Sequence, residues 1–272
     1  MGRAELHLSD SPAPTAGHHV TTIDLNADLG EGFGRYRLDT DSALLAVVSS
    51  ANVACGFHAG DPMVMRETVA EAVSRGVSIG AHPGYPDLQG FGRRDMALGP
   101  AEIEAAVLYQ IGALAAICTA HGGRIRYVKP HGALYNRAAR DADVARAIAR
   151  AIRNADPTLL LLGLDGTEML SVAQEEGLEV AREAFVDRAY LGDGHLVPRD
   201  RPGATLNDVP LIVERALRMV TDRYVIAIDG TRRIVRPDSL CVHGDGPAAV
   251  AIVQALRARF ESVGIAIAPF VR

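Results

Sequence analysis

Short β-type runs alternate with longer helical segments along most of the chain. The candidate strands lie at residues 21–26, 50–55, 77–81, 126–130, 159–164, 179–184, 224–228, 239–242 and 264–269. Helical patterns lie between most of them, at residues 62–75, 100–121, 141–154, 167–176, 208–220 and 247–263. This alternation is typical of parallel strands that are covered by helices. It predicts an α/β fold, which is either an open doubly wound sheet or a closed barrel.

The polar residues favour the barrel. Almost every candidate strand ends in charged, amide or imidazole groups, which are Asp24, Asn26, Asp28, His58, His82, Lys129, His131, Asp165, Glu183, Asp187, His243 and Asp245. In a barrel these strand ends meet at one mouth, whereas the crevice of an open sheet is served by only a few strands. We therefore predict a distorted (β/α) barrel of about seven or eight parallel strands. The Asp229-Gly230 pair predicts a hairpin turn outside this alternation.

Length and composition exclude several classes of protein. A chain of 272 residues is near the upper limit of one hydrophobic core, so we expect a single barrel domain over residues 21–272. The net charge of −5 argues against nucleic-acid binding, and the sequence shows no apolar run of the roughly 20 residues that span a bilayer. Three widely spaced cysteines indicate reduced thiols and a cytoplasmic location. Residues 1–20 are polar and are expected to form a flexible tail.

Several candidate groups share a strand face, because alternate residues of a strand point the same way. These sets are Asp24, Asn26 and Asp28; Lys129 and His131; and His243 and Asp245. Lys129 is the only lysine of the chain, and its compact ammonium can hold a phosphate or a carboxylate. A set of polar side chains inside a barrel needs partners or solvent, which indicates a site near the mouth. The structural alternative is that Asp28 and Glu31 only cap the next element.

Known short motifs do not fix the chemistry. A calcium loop starting at Asp24 fails, because Leu29 and Arg35 occupy the positions that require Gly and Glu. The glycines of residues 30–34 are only a fragment of a dinucleotide-binding motif. His58, His82, His131 and His243 each follow a β run, which suits acid–base catalysis or metal binding, although no H-x-x-x-H spacing is present. The irregular loop 81–94, with Arg93 and Arg94, has the composition of a lid over an anion.

Seven long segments resemble the LamB/YcsF family, the family of bacterial 5-oxoprolinase A subunits. They are residues 23–34, 50–62, 79–94, 128–136, 183–190, 196–199 and 241–247, and the resemblance runs from about residue 21 to 270. It implies a distorted barrel related to polysaccharide deacetylases and some glycoside hydrolases. It also implies ATP-dependent hydrolysis of 5-oxo-L-proline (pyroglutamate) to L-glutamate, with ADP and phosphate as products. ATP would be a co-substrate and would bring a divalent ion, magnesium. The partners that the resemblance implies are B and C subunits.

The resemblance leaves individual roles open, so we assign them as hypotheses. Lys129, Arg93, Arg94 and Arg199 are expected to hold phosphate or carboxylate. His131 or His243, oriented by Asp24 or Asp245, is the expected acid or base, and Asn26 and His58 are expected hydrogen-bond donors. Further candidates are His82 for catalysis and Glu31, Glu183, Asp187 and Arg188 for binding. Two alternatives remain: a metal-dependent, deacetylase-like hydrolase with Asp24, Asp28, His58, His82 and His131 as metal ligands, or a non-catalytic subunit that binds the lactam.

Overall fold

The computed structural model describes residues 21–36, 40–243 and 248–271. The segment 1–20, for which we expect a tail, and the candidate Asp245 lie outside these ranges. Ten strands are present: β1 Thr22–Leu29, β2 Ser50–Ala54, β3 Ser78–His82, β4 Ile125–Val128, β5 Leu160–Leu164, β6 Val180–Phe185, β7 Tyr224–Ile226, β8 Arg232–Ile234, β9 Ser239–Val242 and β10 Ala266–Ile267. Strands β1 to β6 pair in sequence order, β9 follows β6, and β9 also pairs with β1. The result is the predicted barrel, closed by seven parallel strands.

Two elements outside the barrel wall complete the strand pattern. Strands β7 and β8 form an antiparallel hairpin, which confirms the turn predicted at Asp229-Gly230. Strand β10 pairs only with the beginning of β1, at Thr22 and Ile23, and β9 takes over from Asp24 onward. The shift of partner along β1 is one source of the barrel's irregular shape.

Helices surround the barrel on the outside. They are α1 Asp41–Leu45, α2 Pro62–Arg75, α3 Pro100–Ala120, α4 Gly132–Ala138, α5 Ala142–Ala155, α6 Glu168–Glu175, α7 Val209–Thr221 and α8 Ala249–Ser262. Side-chain caps define several starts: Asp61 accepts hydrogen bonds from the amides of Met63 and Val64 at the start of α2. The sequence pattern does not predict helices α1 and α4, because they have only 5 and 7 residues and such short segments show no clear helical period.

Helix α3 corrects the expectation that the chain has no apolar segment long enough to span a bilayer. It has 21 residues and a mean hydropathy of 1.6, so by length and composition alone it could cross a membrane. In the structure its face with Ile103, Val107, Ile111 and Leu114 is buried, and the helix packs along α5. This packing is that of an outer helix of the barrel, whose apolar composition is rich in alanine.

The interior of the barrel is polar near its N-terminal end. The buried carboxylate of Asp24 accepts hydrogen bonds from Ser49 Oγ at 2.6 Å, from Ser50 Oγ at 2.7 Å and from Ser239 Oγ. These hydroxyls, from the segments that begin β2 and β9, offset part of the cost of burying the acid. Burial nevertheless raises the pKa of Asp24 from 3.8 to about 6.

A glycine gives one aromatic side chain its place in this interior. Gly80 of β3 is paired with Tyr127 of β4, and a Cβ atom on Gly80 would lie 2.2 Å from the Tyr127 ring. The ring therefore crosses the space that a side chain at Gly80 would fill. From there the Tyr127 hydroxyl donates a hydrogen bond of 2.7 Å to Asn52 Oδ1. The glycine thus allows a continuous polar network between neighbouring strands.

The raised pKa of Asp24 predicts a loss of stability as the pH rises. The folded protein binds a proton at Asp24 up to about pH 6, whereas the unfolded chain releases it near pH 3.8. The free energy of unfolding should therefore fall by about 3 kcal/mol between about pH 4 and pH 6 and then level off. In Asp24→Asn this contribution should be missing. Urea unfolding of both proteins from pH 4 to 8 measures the difference, and parallel pH profiles would contradict the prediction.

Candidate functional site

A cavity of about 820 Å³ opens at the C-terminal ends of the barrel strands. Eight of the predicted site residues line it: Asp28, His82, Arg93, Lys129, His131, Arg188, Arg199 and His243. They come from positions that are far apart in the chain and meet because parallel strands end on the same side of a barrel. The volume is in the range of small-molecule binding sites and exceeds what an amino-acid-sized ligand alone needs.

The lone lysine lies at the inner end of the cavity between two carboxylates. Lys129 Nζ is 2.9 Å from Asp28 Oδ1 and 2.8 Å from Glu183 Oε1, and it contacts Cys241 Sγ at 3.1 Å. Burial lowers the pKa of Lys129, but the charge of Asp28 and the other anionic neighbours outweighs it and holds the pKa well above the ordinary value. The amine therefore stays protonated. It ties β4 to β1 and β6 and presents a positive charge to the cavity.

Further hydrogen bonds hold the two carboxylates in place. Asn52 donates to Asp28 at 2.8 Å, and the hydroxyl of Tyr135 donates to Glu183 Oε2 at 3.0 Å. Burial raises the pKa of Asp28, but the nearby His82 and Lys129 lower it more, so that the net pKa is well below the ordinary value. Asp28 is thus an anion at the cavity floor.

Three imidazoles and one carboxylate form a compact group beside Asp28, which we call the histidine cluster: Glu31, His58, His82 and His131. The rings of His58 and His131 are stacked with centroids 3.7 Å apart, and His58 Nε2 is 3.3 Å from Glu31 Oε1. His131 Nδ1 is 3.0 Å from His82 Nε2. Burial, followed by the neighbouring imidazoles, lowers the pKa values of His58 and His131 well below the ordinary value.

A histidine–aspartate pair lies on another side of the cavity. His243 Nδ1 is 2.9 Å and 3.0 Å from the two carboxylate oxygens of Asp187, and the His243 amide donates to Asp187 Oδ2 at 3.1 Å. The carboxylate accepts the Nδ1 proton, so Nε2 is the nitrogen that can exchange a proton with a bound molecule. This arrangement of an oriented imidazole beside a cavity is typical of a general base.

Three guanidinium groups adjoin this pair. The buried Arg188 donates hydrogen bonds to the carbonyls of Ala204 and Val197, at 3.2 Å and 2.6 Å. Burial, and then the charges of Arg199 and Arg93, lower the pKa of Arg188 from 12.5 to about 10. The charge of Asp187 acts on Arg188 and Arg199, although among the described residues neither guanidinium forms a salt bridge with a carboxylate. Like charges held together in this way create a site for an anion.

The structure separates the remaining predicted residues from the cavity. Asp24 and Asn26 lie deeper in the barrel, where Asn26 donates a hydrogen bond to Ser239 Oγ at 2.7 Å and accepts one from the cavity-lining Lys129 at 3.3 Å. Arg94 forms an ion pair with Asp87 and does not line the cavity. His58, Glu31, Glu183 and Asp187 lie behind the lining residues and contact them.

The structure corrects one expectation about orientation and shows one carboxylate partner that the sequence does not identify. The sequence predicts that Asp24 orients a histidine, but its hydrogen bonds are to serine hydroxyls on the neighbouring strand segments. The partner of His243 is Asp187, which follows β6, the strand next to β9. The sequence alone does not give this strand order, so it cannot identify the neighbouring acid.

Three further cavity residues are not singled out by the sequence, and the role of a fourth, His195 in a glycine-rich loop, is left open by it. Tyr135, Arg137, Arg140 and His195 line the cavity. Tyr135 belongs to a segment that resembles the family, and its short distance along the chain from Lys129-Pro130-His131 was a usable signal. Arg137 and Arg140 lie in a segment for which the sequence predicts no helix or strand, and nothing in their spacing distinguishes them from other surface arginines.

The fold and the site define a class: a closed β/α barrel whose mouth holds an oriented histidine, a histidine cluster and a group of arginines. The model of the LamB/YcsF family matches residues 23–272. The chain belongs to the LamB/YcsF family. It is 56% identical over 247 residues to the 5-oxoprolinase A subunit of Methylococcus capsulatus, covering 91% of this chain and 95% of the relative. It is 52% identical over 248 residues to the corresponding A subunit of Geobacillus thermodenitrificans, covering 91% and 96%.

Solved structures share the fold. A lactam utilization protein from Thermus thermophilus superimposes with a TM-score of 0.86 at 48% identity, covering 91% of this chain and 99% of that chain. A putative cellobiose-phosphate cleavage protein from Enterococcus faecalis has a TM-score of 0.55 at 12% identity, with coverages of 92% and 97%. The second similarity extends to the barrel fold alone.

The arginine group predicts anion binding that depends on Arg199. Inorganic pyrophosphate should bind the wild-type protein, and Arg199→Gln should weaken the Kd about tenfold, because a charge-assisted contact of about 1.4 kcal/mol is lost. Arg259→Gln is the matched control, since Arg259 pairs with Glu214 on the outer helices. Isothermal titration calorimetry measures all three proteins. Equal affinities in the wild type and Arg199→Gln would contradict the assignment.

Proposed function

We propose that this chain belongs to a 5-oxoprolinase and takes part in the ATP-dependent hydrolysis of 5-oxo-L-proline to L-glutamate. The observation that carries the proposal is the placement of an anion site and an oriented histidine in one cavity. Arg199 and His243 both line that cavity, and Asp187 holds His243 Nδ1. The names of relatives at about half identity support the same conclusion.

The chemistry of the lactam explains why ATP is required. The two ends that must be separated stay tethered, and tethering gives an effective concentration of roughly 10⁵ M or more in well-oriented cases. Ring closure therefore competes strongly with hydrolysis. Resonance also makes the lactam carbon a poor electrophile. Transfer of the γ-phosphoryl group of ATP to the lactam oxygen removes both obstacles, because water then attacks an activated carbon.

The cavity residues supply the groups that this reaction needs. The lactam oxygen attacks the γ-phosphorus and ADP leaves; a first water then adds to the former carbonyl carbon, and the ring C–N bond breaks to leave an acyl phosphate. A second water hydrolyses the acyl phosphate to the glutamate carboxylate and inorganic phosphate. His243 Nε2 accepts the proton of the attacking water, while Asp187 holds Nδ1. Arg188 and Arg199 bind the anionic phosphoryl or carboxylate group, and the Lys129 ammonium stabilises negative charge at the inner end.

The assembly and location follow from the same proposal. Magnesium would enter with ATP, and the Asp28 carboxylate offers an oxygen ligand of the kind that such a hard cation prefers. The relatives are named as A subunits, so the chain is proposed to act with B and C subunits in the cytoplasm. The cavity is the place where substrate from these subunits would be processed.

Replacing His243 tests the proposed base. In the complex reconstituted with B and C subunits, His243→Gln should lower kcat for ATP-dependent glutamate release about 100-fold or more, since general-base catalysis contributes about 10²–10⁴. The KM for 5-oxoproline should change much less. Arg259→Gln serves as the control for substitution on the outer surface. Steady-state kinetics with a coupled glutamate assay provide the measurement.

One outcome would favour a purely binding role for this chain. If His243→Gln and Arg199→Gln both leave kcat at the wild-type value while the isolated chain still binds 5-oxoproline, the chemistry takes place in one of the partner subunits. The proposal for the cavity would then be wrong, although membership of the complex would remain.

A further inference from the structure

The histidine cluster has the geometry of a metal site. One ligand atom from each of Glu31, His58, His82 and His131 lies within 4.8 Å of the other three. All four residues are buried, and His58 is fully inaccessible to solvent. They come from four consecutive segments, at or just after the ends of β1, β2, β3 and β4. The barrel wall thus holds the four side chains at fixed distances from one another. A site built on one loop would be less rigid.

Counting protons shows that something positive belongs between two of these rings. His82 Nδ1 is 2.7 Å from the carbonyl oxygen of Lys129, and His131 Nε2 is 2.8 Å from that of Phe91. A carbonyl oxygen only accepts, so each of these nitrogens carries a proton. In neutral rings, His82 Nε2 and His131 Nδ1 are then both lone pairs, and they face each other at 3.0 Å. Two lone pairs at that distance require a cation between or beside them.

The hydrogen bonds of the outer nitrogens are those of metal-binding histidines. A histidine that ligates a metal through one nitrogen usually donates its other N–H to a carbonyl or carboxylate, which fixes the tautomer and the ring. The carbonyls of Lys129 and Phe91 play this part for His82 and His131. Both rings therefore already present a bare nitrogen to the same point.

The surroundings favour a cation as well. Asp28 Oδ2 is 3.4 Å from His82 Nε2, and Asp28 shares the single ammonium of Lys129 with Glu183. The two carboxylates carry two negative charges and the ammonium only one positive charge, so a net negative charge remains next to the histidine cluster. Gly92 packs tightly against it, because a Cβ there would lie 2.7 Å from His58 Cβ and 2.9 Å from His131 Cδ2. This packing keeps the two stacked rings in place.

We propose that Glu31, His58, His82 and His131 bind one divalent transition-metal ion of the zinc class. Three imidazoles are borderline ligands and the single carboxylate is a hard one, and this mainly nitrogen set suits Zn²⁺, Fe²⁺ or Co²⁺ better than Mg²⁺, which prefers oxygen ligands. The ion is therefore distinct from the magnesium that accompanies ATP. The inference does not depend on the proposed reaction, because it concerns binding alone.

Cobalt binding tests the site without an activity assay. The full-length protein is freed of metal with a chelator and titrated with Co²⁺, and the visible absorption of the bound ion is recorded. The wild type should bind one equivalent, and Zn²⁺ should displace it. His58→Gln and His131→Gln should each lower the affinity at least 100-fold. His121→Gln, which changes a histidine at the end of α3, should bind like the wild type.

A second measurement uses only the wild-type protein, so it does not depend on whether a variant folds. In the proton NMR spectrum of the Co²⁺-loaded wild type, the N–H protons of His82 and His131 should appear as paramagnetically shifted signals. Both are hydrogen-bonded inside the protein and should exchange slowly. No stoichiometric Co²⁺ binding by the wild type would overturn the proposal and leave a shared proton between the two rings. Binding that is unchanged in both cluster variants, or that shifts no imidazole N–H, would overturn it too.

Discussion

The ion-paired Lys129 is the interaction on which the interior of the barrel depends. Its ammonium joins Asp28 of β1 to Glu183 of β6 across the barrel, and its alkyl chain rises from the end of β4. Three strand regions that are remote in the sequence are thereby held around one charge. Removing one partner of a buried ion pair typically costs about 3–5 kcal/mol, because the other charges stay buried without compensation. An arginine would not replace this lysine, since its planar fork needs more room than a compact ammonium.

Around this centre the mouth of the barrel divides into two parts. The histidine cluster follows β1 to β4, whereas the His243–Asp187 pair and Arg188 follow β6 and β9. Lys129 contacts the carboxylates next to both parts and lies 5.2 Å from the ring centroid of Phe185. The arrangement gives one side of the cavity the properties of a cation site and the other those of an anion site. The proposed transfer of a phosphoryl group from a nucleotide to a lactam would use the second part directly.

The sequence predicts the barrel architecture well, but it does not predict which side chains contact one another. Alternating strands and helices, and polar residues at strand ends, are enough to predict a closed barrel with its site at the mouth. Which side chains form hydrogen bonds with one another depends on strand order and register. Strand β9 pairs with both β6 and β1, so His243 lies beside Asp187, and Asp24 lies beside Ser239. These pairings join residues more than 50 positions apart, and no local pattern encodes them. Resemblance to a family located the important segments without giving the role of each side chain.

Local signals also fail for physical reasons. Helix α3 is long and apolar enough to cross a membrane by composition, because its many alanines raise the mean hydropathy. Its packing is nevertheless that of an outer helix of the barrel. Glu31, for which the sequence predicts a binding or capping role, lies against His58 and His131, because the turn after β1 bends toward the next strands.

The central claim is that this cavity, rather than one in a partner, holds the reacting groups. A crystal structure of the complex of this chain with B and C subunits, trapped with 5-oxoproline, ADP and a phosphate analogue, tests it most directly. We expect the lactam and the phosphate analogue inside this barrel, with His243 Nε2 facing the lactam carbon and Arg188 or Arg199 within hydrogen-bonding distance of an anionic oxygen. Both ligands bound wholly within the partner subunits, with this cavity containing only solvent, would contradict it.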